Sequence, residues 1–132
     1  MAKIRHIAIA VRSLAEAIPA YRKLLGDPEG TEEMVEEQKV KAVFFSAGES
    51  QIELLEATGP DSPIAKFLER HGPGLHHIAL SVPDLEKTLE EMKQAGMVLI
   101  DEKPRTGAGG ERIAFVHPEN FSGVLVELIE ES

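Results

Sequence analysis

The chain carries two copies of one pattern, and that duplication limits its folds more than any other feature. Gly74-Leu75-His76-His77-Ile78-Ala79-Leu80-Ser81-Val82 is close to a repeat of Arg5-His6-Ile7-Ala8-Ile9-Ala10-Val11, with His77 lying 71 residues after His6. In both copies a histidine opens a short apolar run of strand character, and a polar residue then leads into a helical pattern. A second echo lies downstream of each, Gln51-Ile52-Glu53-Leu54-Leu55-Glu56 and Leu125-Val126-Glu127-Leu128-Ile129-Glu130. Aligned half on half, His6 matches His77 and Glu53 matches Glu127, at separations of 47 and 50 residues. The turn before the last strand absorbs the difference.

Taken in order, residues 3–11 read as a strand with Ile4, His6, Ala8 and Ala10 on one face. Ser13 is the N-cap of a helix over residues 14–25, with Pro19 a point where it kinks or shortens. Strands follow over 31–37, 40–47 and 51–56, the first of them charged and weak. Ser62 and Pro63 then open a short helix, which the connector His71-Gly72-Pro73-Gly74 ends. In the second half the pattern predicts a strand over 75–82 and a helix that Asp84 caps and Gly96 ends. It continues with a short strand over 97–100, a Gly-rich loop over 104–110, and strands over 111–117 and 124–130. The expectation is an α+β fold of two tandem βαβββ modules, residues 3–56 and 74–130, with a linker helix over 57–73. The modules form one domain under a pseudo-two-fold, because each four-stranded sheet needs the other half to bury its inner face.

The 132 residues suit a single domain, and no apolar run reaches the roughly 20 residues of a membrane span. Met1-Ala2-Lys3 runs straight into strand pattern, so no targeting peptide is expected and the cytoplasm is the default compartment. A net charge of −9 without a basic cluster argues against a nucleic-acid surface. With no cysteine there is no disulfide, no thiolate nucleophile and no Cys-ligated metal. A metal here must be held by His, Asp, Glu, Gln or Asn, which suits Mg, Mn, Co, Ni or Zn.

Glu53 and Glu127 each sit in an apolar strand, Ile-Glu-Leu-Leu and Val-Glu-Leu-Ile. Such a carboxylate faces solvent, pairs with a cation or binds a metal. One glutamate alone would usually face solvent, and one strand histidine would usually be an ordinary packing residue. Their joint recurrence at matching places in two related halves supports a shared site of two imidazoles and two carboxylates between curved sheets. Such a site leaves one or two positions open for a substrate. Spacing alone leaves the metal-binding and the solvent-facing readings both standing.

The paired βαβββ pattern resembles the vicinal-oxygen-chelate superfamily, which includes glyoxalase I, extradiol dioxygenases and bleomycin-resistance proteins. Within it, the motifs Gly74-Leu75-His76-His77-Ile78-Ala79, residues 61–68, Gly107-Ala108-Gly109-Gly110, His117-Pro118 and Gly123-Val124-Leu125-Val126-Glu127-Leu128 are similar to the methylmalonyl-CoA epimerases. The resemblance implies metal ligation by His6, Glu53, His77 and Glu127, with Gln51 as the alternative to Glu53. It also implies an isomerase of a small-molecule CoA thioester in propionate metabolism, working as a homodimer, with no nucleic-acid or membrane partner. On the same scaffold a glyoxalase I-type lactoylglutathione lyase and a non-catalytic small-molecule-binding protein are the rivals. His76, pointing away from His77, reads as a packing or surface residue, and so do His71 and His117.

The implied chemistry removes the proton from the carbon between thioester and carboxylate, with the divalent metal stabilising the enolate and Glu127 and Glu53 as the candidate proton acceptor and donor on its two faces. A second carboxylate proposed for some relatives falls where this chain has Ala42. Backbone N–H groups at Gly109 and Gly110 are weak candidates for substrate binding, with Arg105 and Arg112 flanking that loop.

Overall fold

In the computed structural model, which describes residues 2–131, the first half runs β1 (Lys3–Ala10), α1 (Leu14–Leu24), β2 (Thr31–Val35), β3 (Val40–Ala47) and β4 (Ser50–Ala57). After α2 (Pro63–His71) the order repeats as β5 (Gly74–Val82), α3 (Leu85–Gln94), β6 (Arg105–Thr106), β7 (Arg112–Val116) and β8 (Leu125–Glu130). This is the expected α+β pattern of two βαβββ modules. Contacts divide the chain into two compact units, one of residues 6–76 and one of the second half with the first residues of β1. Among the described residues no helix is long and apolar enough to cross a membrane.

In the first unit the strand order is β2-β3-β4-β1, antiparallel except that β1 runs parallel to β4. Strand alternation sorts its residues onto two faces. Val43, Phe45 and Leu54 meet Leu14, Ala17, Ile18 and Tyr21 of α1 on one face. Ala8, Ala10, Ala42 and Leu55 meet Ile64, Phe67 and Leu68 of α2 on the other. The helix α1 is continuous through Pro19, its apolar stripe held on the sheet. The second unit has the order β5-β8-β7-β6, with β5 parallel to β8. Leu85, Leu89 and Met92 of α3 cover Ala114, Val116, Val126 and Leu128, and the opposite face carries Ala79, Ile113, Phe115 and Ile129.

The helix starts are as read from the sequence. Ser13 Oγ accepts from Glu16 N, Ser62 Oγ from Ile64 N and Asp84 Oδ1 from Lys87 N, each cap contributing about 1 kcal/mol. A further cap comes from far along the chain. Glu56 Oε1 accepts from Leu14 N at 2.7 Å and Glu130 Oε2 from Leu85 N at 3.0 Å. The second glutamate of each repeated Glu-x-x-Glu thus anchors the helix of its own module, satisfying a donor the first turn leaves open.

The second strand of the second module departs from expectation. Residues 97–100 form no strand; Leu99 makes one isolated bridge to Val116. The Asn120 amide accepts from Val98 N and donates to Val98 O, which also accepts from His117 N, while Ile100 N and Asp101 N both donate to Phe115 O, so the segment meets β7 without a regular ladder. The ladder position goes instead to Arg105–Thr106, within the stretch expected to be loop, paired with Ile113 and Arg112. In the first module β2 ends at Val35 rather than residue 37, where a 3-10 turn over Glu36–Gln38 begins.

Candidate metal centre and active site

Parallel pairing of β1 with β4 sets Ala8 opposite Glu53, so His6 lies diagonally across from Glu53 on the same face. His6 Nε2 and Glu53 Oε1 are 3.3 Å apart, each side chain 11 % exposed. On the other side of Glu53, the antiparallel β3 places Phe44 directly opposite, its ring meeting His6 edge-on at 5.7 Å and 75°.

The second module repeats this arrangement. Ala79 and Phe115 flank Glu127 in the ladder, His77 Nε2 lies 3.3 Å from Glu127 Oε1, and the Phe115 ring meets His77 at 6.1 Å and 82°. Both units therefore contain the same cluster of histidine, glutamate and phenylalanine on three adjacent strands. The sequence comparison found the histidines and glutamates but missed Phe44 and Phe115. A signal for them exists: Phe44 precedes Glu53 by 9 residues and Phe115 precedes Glu127 by 12, the same three-residue difference that separates the His–Glu spacings.

An imidazole nitrogen and a carboxylate oxygen held at this distance, largely out of water and walled by phenylalanine, form a donor pair of intermediate hardness. Such a pair, with no thiolate, is of the chemistry that suits a divalent ion of the Mn to Zn series, and Mg²⁺ if water completes the shell. The phenylalanine edges fix the ring planes.

The remaining expected residues fall as follows. Gln51, the alternative to Glu53, is exposed. His76 and His71 pack on Phe67, both at 4.9 Å, and His117 Nδ1 accepts from Glu119 N to cap a turn. In the Gly-rich loop, Gly107 N donates to Glu111 O and Gly110 N to Gly107 O, so these two amides close the turn themselves. Gly107 has no room for a side chain, since a Cβ would meet Ile113 Cδ1 at 2.6 Å. Arg112 is tied to Glu86 at 2.7 Å and Glu130 at 3.1 Å, which raise its pKa above the ordinary arginine value, the Glu86 hydrogen bond most. Arg105 lies over the Phe115 ring at 5.3 Å from its centroid. Ala42 is buried among Ala8, Leu55 and Ile64.

Fold and residue pattern together define a member of a known superfamily. Residues 5–115 match the model of the Glyoxalase/Bleomycin resistance protein/Dioxygenase superfamily, and the chain belongs to it. Over 130 residues it is 45 % identical to the uncharacterized protein YqjC of Bacillus subtilis (strain 168), covering 98 % of this chain and 93 % of that one. It is 39 % identical over 128 residues to the ethylmalonyl-CoA/methylmalonyl-CoA epimerase of Cereibacter sphaeroides, covering 96 % of each chain. A solved methylmalonyl-CoA epimerase in complex with methylmalonyl-CoA and NH4+ superposes with a TM-score of 0.86 at 34 % identity, covering 100 % of this chain and 96 % of that one.

Proposed function

We propose that the chain is a divalent-metal-dependent epimerase of methylmalonyl-CoA in which both modules work as one domain. His6, Glu53, His77 and Glu127 hold the ion. The observation that carries the reading is the His–Glu pair present at 3.3 Å in each module, in a chain whose relatives include methylmalonyl-CoA epimerases. Its support includes a donor set, His6, His77 and Glu127, of the composition that holds a metal ion. Glu53 joins that set through its position against His6.

When bound, the cation supplies a Lewis acid for the charge that develops on the thioester oxygen. The chain does the rest. Glu127 takes the proton from the carbon between thioester and carboxylate, and Glu53 returns one to the opposite face. Phe44 and Phe115 keep the imidazoles oriented and water away from the carboxylates. Ala42 offers no proton-transfer group and packs against apolar neighbours, so the second acid–base role is assigned to Glu53 and not to that position. The same matched carboxylates suit a glyoxalase-type lyase acting on a glutathione hemithioacetal. Retention of all four donor residues speaks against a protein that only binds.

Substrate assays separate these readings. Metal-replete protein incubated with one epimer of methylmalonyl-CoA in D₂O is expected to yield the other epimer with deuterium at the epimerised carbon. Absence of both, with turnover of the hemithioacetal, overturns the proposal in favour of the lyase.

We propose further that the protein acts as a cytoplasmic homodimer. Met34, 50 % exposed on the outer strand of the first module's sheet, is one apolar residue such an interface would cover. Light scattering at micromolar concentration should give twice the chain mass of 14.4 kDa, and a monomeric mass rejects the dimer.

A further inference from the structure

The face of the second module that bears Phe115 also bears a cation that the proton transfer does not use. Arg105 lies directly across the ladder from Ile113, which clusters with Ala79, Phe115 and Ile129. Cross-strand partners share a face, so Arg105 projects from the side that carries His77 and Glu127. Its guanidinium carbon is 5.3 Å from the centroid of Phe115, the residue opposite Glu127 and edge-on to His77. Asp101 fixes the stack from behind: Oδ2 accepts from Arg105 Nε at 3.2 Å and from Phe115 N at 2.8 Å. Arg105 is 51 % exposed, and its two terminal nitrogens make no hydrogen bond among the described residues. A guanidinium held over a ring and gripped through Nε keeps its two terminal nitrogens as donors for an oxyanion, and such a fork can recognise a carboxylate at two points.

We infer that Arg105 is a positioning residue that takes the free carboxylate of the acyl group, so that the site selects CoA thioesters of a 2-substituted malonate over simple acyl thioesters. The inference rests on the epimerase reading and deepens it. Carboxylate and thioester share the carbon that loses its proton, so pinning the carboxylate orients that C–H bond toward Glu127. Arg105, one ring removed from His77, stands near this carbon, whereas the CoA phosphates lie at the far end of the pantetheine arm. Arg112, the loop's other arginine, has its charge engaged by Glu86 and Glu130.

The test uses Arg105→Met, which keeps length and apolar stacking, and Arg105→Lys, which keeps the charge. Three ligands are titrated by calorimetry: methylmalonyl-CoA, propionyl-CoA (phosphates without carboxylate) and methylmalonyl-pantetheine (carboxylate without the nucleotide). Arg105→Met should weaken both carboxylate ligands ~10–100-fold and leave propionyl-CoA within about twofold, with Arg105→Lys recovering part of the loss. Metal content should be unchanged. Weakening of the two CoA ligands alone assigns the arginine to a phosphate and overturns the inference. Equal weakening of all three, or of none, also overturns it. Turnover on the same samples judges the epimerase reading separately: a wild type that binds the carboxylate ligands through Arg105 but epimerises nothing rejects that reading alone.

Discussion

Replacing Glu127 with glutamine should lower epimerase turnover by at least the ~10²-fold typical of losing a general base, with the metal still bound. Glutamine keeps a carbonyl oxygen in the same strand position, opposite Ala79 and Phe115, so the fold and the oxygen donor both persist. What it loses is the capacity to accept a proton. The measurement is kcat beside metal content on one preparation. A Glu127→Gln protein with full metal and full turnover would show that Glu127 is a ligand only. Glu53→Gln examines the opposite face. If Glu53 is the second acid–base, exchange of the substrate's proton with solvent continues from one epimer while conversion to the other stops. If Glu53→Gln epimerises normally, the second proton carrier lies elsewhere.

Metal removal should have the larger effect. A Lewis acid contributes several kcal/mol to such proton abstractions, so chelator-treated protein should fall by more than ~10³-fold and recover with Co²⁺ or Mn²⁺. The substitution that matches this treatment is His77→Ala. It removes one of the donors and leaves the Glu127 carboxylate without the imidazole 3.3 Å away. The variant should purify with substoichiometric metal, and ligand loss of this kind should not be reversed by added Co²⁺ at concentrations that restore the chelated wild type. Circular dichroism checks the fold, since His77 lies on a strand whose neighbours Ile78 and Ala79 are packed independently of it. Full activity in protein shown to be metal-free would remove the central claim.

How much of this was legible in the chain follows from what is local and what is not. The duplication, the two His-strands, the two Glu-strands and the caps Ser13, Ser62 and Asp84 are all short-range signals, set by alternation and by cap chemistry within three or four residues. Each could be read without knowing its neighbour in space. That is also why the internal match of His6 with His77 and Glu53 with Glu127 singled out the residues of the two His–Glu pairs before any fold was in hand. The family resemblance then supplied the chemistry.

The tertiary structure decided everything that depends on which strand lies beside which. Alternation puts a residue on a face, but only the ladder register sets Phe44 opposite Glu53 and Phe115 opposite Glu127. Glu56 and Glu130 anchor helices beginning 42 and 45 residues earlier, because the parallel β1–β4 and β5–β8 pairs bring each strand end to its own helix start. Residues 97–100 have strand composition, but they meet the end of β7 through irregular bonds shared with the Asn120 amide, and the regular pairing falls to Arg105–Thr106. That exchange turns Arg105 from a loop charge into a guanidinium stacked on Phe115. Sequence determined the residue types and their faces. Which of them meet was decided by hydrogen-bond closure of distant strands, an energy that no window of the chain contains on its own.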